Sequence, residues 1–188
     1  MMKYIKLLLI FLFLFAHLLS QSSNKDLPLF RNFNWGVTPE EVKINETAKY
    51  LQTFSGFNSY ALSFRGEFLK LNSRIDFSFK DSMLTEGSYL IKSDLSYKEN
   101  FVSIREHFNK LYGKPKYWAI RKFGDTPQWI RETDFGTFRG PELFWEFKNG
   151  FIAIQSSKFI EEITITVLYV YNQKINEYGS ADVFNIKY

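Results

Sequence analysis

No cysteine occurs anywhere in the chain. That excludes disulfides, thiolate zinc sites, cysteine nucleophiles and anchoring through a lipidated cysteine, so stability has to come from packing. Histidine is nearly as scarce, with two residues, His17 and His107. A Ser-His-Asp arrangement or a multi-histidine metal site would have only His107 to draw on once the first residues are set aside. Long hydrophobic runs are missing as well. Residues 7–19 are apolar except for His17, a stretch of 13, whereas a membrane-crossing helix needs roughly 20 such residues and a secretory core about 7–15.

That run follows the basic start Met1-Met2-Lys3-Tyr4-Ile5-Lys6 and precedes Ser20-Gln21-Ser22-Ser23, whose small residues suit a signal peptidase. The expectation is a cleavable signal peptide over residues 1–20 and export to the periplasm or the exterior, with no integral membrane span after cleavage. The formal charge of +4 falls to +2 once Lys3 and Lys6 leave. Lys and Arg gather on no one stretch, so the basic balance does not point to nucleic acid. The mature length suits one self-sufficient core. The expected layout is a linker at 21–34, a single domain at 35–171, and a tail or edge strand at 172–188.

Two helices are predicted from their start and stop signals. In Trp35-Gly36-Val37-Thr38-Pro39-Glu40-Glu41-Val42, Thr38 can cap, Pro39 takes the first helical position, Glu41 closes a capping box and Val37 and Val42 form a staple. The second starts at cap Ser96 with Glu99 and carries Tyr97, Phe101, Ile104, Phe108 and Leu111 on one stripe to Gly113 and Pro115. Nearly everything else alternates with period two. Strands are predicted over 74–80 and 84–91 around Asp81-Ser82, and over 143–148 and 151–155 around Asn149-Gly150, read as a type I′ turn. A long strand presents Ile163, Ile165, Val167, Tyr169 and Tyr171 on one face, and weaker strands fall at 51–54, 60–64, 117–121 and 129–132. The predicted fold class is α+β, an antiparallel sheet with two helices packed on one face, built as two loosely repeated helix-plus-strands halves.

The Trp35 to Val42 start and the exit Leu111-Tyr112-Gly113-Lys114-Pro115 resemble those of a broad set of small exported bacterial proteins. More distantly, the pattern is similar to outer-membrane assembly lipoproteins of the BamE type and to β-lactamase inhibitory proteins. The absent lipidation cysteine sets the chain apart from the former. The resemblance implies a binding module without catalytic chemistry.

Chemistry is hard to place. His107 reads as a boundary residue of the second helix, with no nucleophile or orienting carboxylate beside it in sequence. Glu40-Glu41 lies in a first helical turn, where acid complements the dipole, and Glu161-Glu162 starts a strand, where neighbours face opposite ways. Gly136 to Gly140 lacks a phosphate loop's lysine. No cofactor or metal is expected. The remaining candidate is the irregular stretch 122–142, too long for a hairpin loop. There Lys122, Trp129, Arg131, Glu132 and Arg139 combine the aromatic and Arg types that binding hot spots favour. The expectation is therefore an exported, non-catalytic module holding an envelope or extracellular protein. The alternatives are an envelope hydrolase using Asp125, Glu132 or Asp134, and a carrier of lipid or another small ligand.

Overall fold

The computed structural model of the protein describes residues 25–56, 60–93, 96–117, 130–131, 137–139, 143–159 and 162–171. The signal segment and the tail expected at 1–20 and 172–188 lie outside them. Among the described residues, no helix is long and apolar enough to cross a membrane.

Helix α1 (Pro39–Asn45) starts as its sequence dictates: the Thr38 hydroxyl accepts the Glu41 amide at 3.3 Å, Pro39 sits in the first turn, and Val42 is buried. Helix α2 (Tyr97–Tyr112) buries Phe101, Ile104 and Phe108. Two details of its reading change. Ser96 stands at the N-cap, but its φ of −92° and ψ of 15° lie outside the extended region that aims a capping hydroxyl at the first turn, and it makes no cap bond. Leu111, expected on the stripe, is 49% exposed, and Tyr112 packs on the core in its place.

The strands are β1 (Lys49–Ser55), β2 (Tyr60–Phe68), β3 (Leu71–Lys80), β4 (Met83–Lys92), β5 (Lys116–Tyr117), β6 (Ile130–Arg131), β7 (Thr137–Arg139), β8 (Leu143–Phe147), β9 (Gly150–Phe159) and β10 (Glu162–Tyr171). They form one antiparallel sheet in the order β1-β2-β3-β4-β10-β9-β7-β6, with β8 on the same edge of β9 as β7 and β5 beyond β8. Each half is a helix followed by antiparallel strands, and the halves join through their last strands, β4 and β10. The predicted α+β class therefore holds. Within 122–142, the expected irregular stretch, β6 and β7 add short pairings to the sheet.

One layer covers one face. Alternate residues Ile75, Phe77 and Phe79 of β3, Tyr89 and Ile91 of β4, Ile165, Val167 and Tyr169 of β10, and Ile152 and Ile154 of β9 are buried beneath α1 and α2 in a single cluster. The stretch read as a linker belongs to that cluster, for Leu27, Phe30 and Phe33 are buried in it. Phe30 is its hub, with ring centroids 5.1 Å from Phe77, 5.1 Å from Tyr89 and 5.3 Å from Tyr169. Gly87, in mid-strand, makes this possible: a β-carbon there would collide with the Phe30 ring.

Turn chemistry departs from sequence expectation in two places. Asp81 and Ser82 both take positive φ, 52° and 61°, as a two-residue hairpin turn requires. Leu69 and Lys70 do the same between β2 and β3, at 52° and 66°, although neither residue type favours that region. The β8–β9 turn consists of Lys148 and Asn149, neither at positive φ, and Gly150 is already in β9 opposite Phe147. The I′ reading is thus corrected, and the reason is tertiary. Asn149 Oδ1 accepts the Leu27 amide at 2.6 Å, the Lys148 amide donates to the Lys25 carbonyl at 3.0 Å, and a β-carbon at Gly150 would meet the Val170 carbonyl oxygen.

Candidate functional site

Of the sequence-predicted site residues, Lys122, Trp129 and Glu132 lie outside the described residues, as do Asp125 and Asp134. Arg131 and Arg139 fall on adjacent strands, yet Arg131 is in register with Phe138 and Arg139 with Ile130, so the pairing does not set the two arginines opposite each other. His107 is half-buried with its ring 6.1 Å from Phe68 and 5.4 Å from Phe108, edge-on to both. Desolvation, helped by Lys110, holds its imidazolium below the usual histidine range. It borders a shallow open groove with Leu69, Lys70, Ser103, Glu106 and Lys110, where the Glu106 carboxylate already accepts from Arg105 at 2.9 Å. No cluster of three or more His, Asp or Glu suited to a metal occurs among the described residues.

The surface that stands out is β1. Every one of its seven residues is exposed, whereas β2 buries Leu62, Ser63 and Phe64 and β3 and β4 bury largely alternate positions. Among the described residues it pairs only with β2, so its other edge presents backbone donors and acceptors to solvent. Tyr50, Leu51 and Phe54 remain 47%, 36% and 47% exposed, and Ile44, near the end of α1, is 79% exposed. Tyr50 lies against Phe64 at 5.7 Å and its hydroxyl meets Thr53 Oγ1 at 2.7 Å. Between Tyr50 and Gln52 the register skips Leu51, a bulge that re-aims the chain there.

The start of β1 is fixed from behind. Glu46, just after α1, receives Arg31 Nε at 2.7 Å and Nη2 at 2.8 Å, and its Oε1 accepts the Ala48 amide at 2.7 Å. The Glu46 side chain is 2% exposed. Burial alone would raise its carboxyl, but Arg31 and the amides of Ala48 and Thr47 outweigh burial and hold it below the ordinary carboxylate range. The fork of Arg31 is itself held charged by Glu46, against the cost of burial. The ion pair therefore ties the N-terminal segment to the α1–β1 junction.

On the face opposite the core, register carries rows of side chains across the whole sheet. One runs Glu146, Phe151, Val170, Glu86, Ser78, Ala61 and Phe54; the next runs Phe144, Ala153, Leu168, Ser88, Asp76, Ser63 and Gln52. A third runs Gln155, Thr166, Leu90, Arg74, Arg65 and Lys49. Glu86 reaches water, but the strands crowding it partly desolvate the carboxyl and raise it above its ordinary range. The face is thus mostly apolar toward β8, β9 and β10 and mostly polar toward β1, where the third row ends in Arg74, Arg65 and Lys49 and the first in Phe54. Sequence reasoning marked β1 only as a weak strand, since nothing in Lys49-Tyr50-Leu51-Gln52-Thr53-Phe54-Ser55 says that no layer covers it. Comparison with known proteins leaves the site to stand on this geometry, for no family model matches the chain and no curated protein or solved structure matches it either.

Proposed function

We propose that the chain is an exported, non-catalytic binding module that holds an envelope or extracellular protein by adding a strand of that partner to β1. One observation carries this reading: β1 is a seven-residue edge strand, wholly exposed, with Tyr50, Leu51 and Phe54 projecting from it. An exposed edge with apolar side chains is a template for an incoming strand, in which main-chain bonds supply affinity and side-chain contacts supply selectivity. Export rests on the basic start and short apolar run of residues 1–20.

The test places a photoreactive phenylalanine at position 54 and, as a control, at position 98 on the exposed side of α2. Illumination in the producing cells should join position 54, and not position 98, to one reproducible envelope protein. The double substitution Leu51→Lys with Phe54→Lys should remove that capture while leaving the circular dichroism spectrum unchanged. Equal capture from both positions, or none from 54, refutes the assignment.

A further inference from the structure

The free edge is bordered by an arrangement that sheets ordinarily avoid. On the open face, Lys49, Arg65 and Arg74 are direct register partners on β1, β2 and β3. All three are exposed, and their β-carbons stand about 5 Å apart, a spacing at which like charges directly opposite destabilise a sheet. Only Arg74 has its charge answered: Nε and Nη2 both lie 3.0 Å from Asp76 Oδ2. Asp76 is further committed to the Ser63 hydroxyl at 2.5 Å. Glu67, on the same face as Arg65 and opposite Asn72, forms no ion pair with it. The two cations left without an acid among the described residues, Lys49 and Arg65, are the two nearest the edge of the sheet.

We infer that the strand received at β1 is an acidic extended segment, with carboxylates on its open-face side beside Lys49 and facing Arg65 one strand further in, and an apolar side chain beside Phe54. This deepens the strand-addition reading and rests on it. The geometry sets the pattern. Lys49 and Phe54 end rows on the same face, with Gln52 between them and the bulge at Leu51 adding one residue. An incoming strand meets the three in turn, so its acidic and apolar groups stand about four residues apart, since side chains on one face recur every second residue. A second copy of β1 does not fit, because Lys49 to Ser55 holds no acidic residue and would leave both cations unanswered. A basic segment would add a further like charge to the row. Arg65 also offers a planar fork suited to a carboxylate, which makes the site more than a diffuse positive patch.

The experiment uses the mature full-length chain and two labelled ten-residue peptides of alternating Thr and Val. Each carries a Leu toward one end and, four residues away, either two Glu or two Lys at alternate positions. Affinity is read by fluorescence anisotropy at low and at high salt. The Glu peptide should bind about tenfold more tightly than the Lys peptide at low salt, as two exposed ion pairs allow, and the ratio should shrink as salt screens them. Lys49→Glu with Arg65→Glu should invert the preference, and Phe54→Lys should weaken both peptides while leaving their ratio above one. If both peptides bind equally and Phe54→Lys abolishes both, the charge assignment falls and strand addition stands. If neither binds, strand addition at β1 falls with it. A Glu preference that survives the double charge reversal shows recognition elsewhere and overturns the inference. So does a dimer crosslinked through position 54, or Glu-peptide binding that emerges only after residues 172–188 are removed, since the edge would then be occupied by the chain itself.

Discussion

β1 and β4 are built from the same kinds of residue and meet opposite fates. β4 alternates buried and solvent-facing positions, with Leu84, Tyr89 and Ile91 under a layer supplied by α2 and the segment around Phe30. β1, three strands further toward the edge, has Tyr50, Leu51 and Phe54 and buries none of them. Strand pattern therefore decides which side chains share a face, and the covering layer decides which face is dry. A strand beyond the reach of that layer keeps its apolar residues exposed.

The contrast breaks most readily at its buried end. Phe30→Ala should cost about 3–5 kcal/mol, because it empties the centre of the aromatic cluster. Gly87→Ala, which pushes a methyl group into the same ring, should cost about 1–3 kcal/mol by overpacking. Both are read from urea unfolding midpoints, and a loss below 1 kcal/mol for Phe30→Ala would remove the N-terminal segment from the core.

Next in size is the Arg31–Glu46 pair, which links the two regions. Glu46→Gln should destabilise by about 2–3 kcal/mol, since it weakens two charge-assisted bonds and leaves a half-buried guanidinium. The sign with pH follows from the lowered carboxyl of Glu46. The pair's contribution is fully present above the carboxyl's unfolded value and is lost as acid takes the pH down through the lowered folded value. Urea titrations across the acid range should show that loss in the native chain and a flatter profile in Glu46→Gln.

A smaller effect is expected at the hairpin between β2 and β3. Replacing Leu69-Lys70 by Asn-Gly should stabilise by about 1 kcal/mol, because those residues accept the positive φ that Leu69 and Lys70 are forced into. A destabilised variant would mean that contacts of the Leu69 or Lys70 side chain outweigh backbone strain. Smallest of all, Phe54→Lys should shift stability by less than about 0.5 kcal/mol, as for a surface position. A larger loss would show that Phe54 is packed in solution and would blur the distinction between β1 and β4.

Much of the fold could be read before any coordinates. Thr38, Pro39 and Val42 announce α1, and the spacing of Phe101, Ile104 and Phe108 announces α2, because caps and helical periodicity are local. The alternation around Asp81-Ser82 gives β3 and β4 for the same reason. What escaped reading depends on partners distant in sequence. Residues 25–34 look like a polar linker with scattered aromatics, yet Phe30 finds the gap over Gly87, 57 positions on. Asn149-Gly150 has the strongest local hairpin signal, and the Leu27 amide takes the asparagine side chain for another purpose. Of the five residues singled out for binding, Arg131 and Arg139 lie on paired strands but not opposite one another, while the edge at β1 carried no local sign of exposure.

The sequence by itself determined the helix starts, the strand periodicity and hence the α+β class, because propensity, capping and side-chain alternation act within a few residues. It also determined that no thiol chemistry is available, since there is no cysteine. Only the tertiary structure decided that the halves join through β4 and β10, that Phe30 lies at the hub of the core, and that Lys49, Arg65 and Arg74 form one row beside a free edge. Those outcomes depend on which strands pair and where the covering layer stops. Both are set by competition among long-range contacts for a limited apolar face, and no window of the sequence contains that competition.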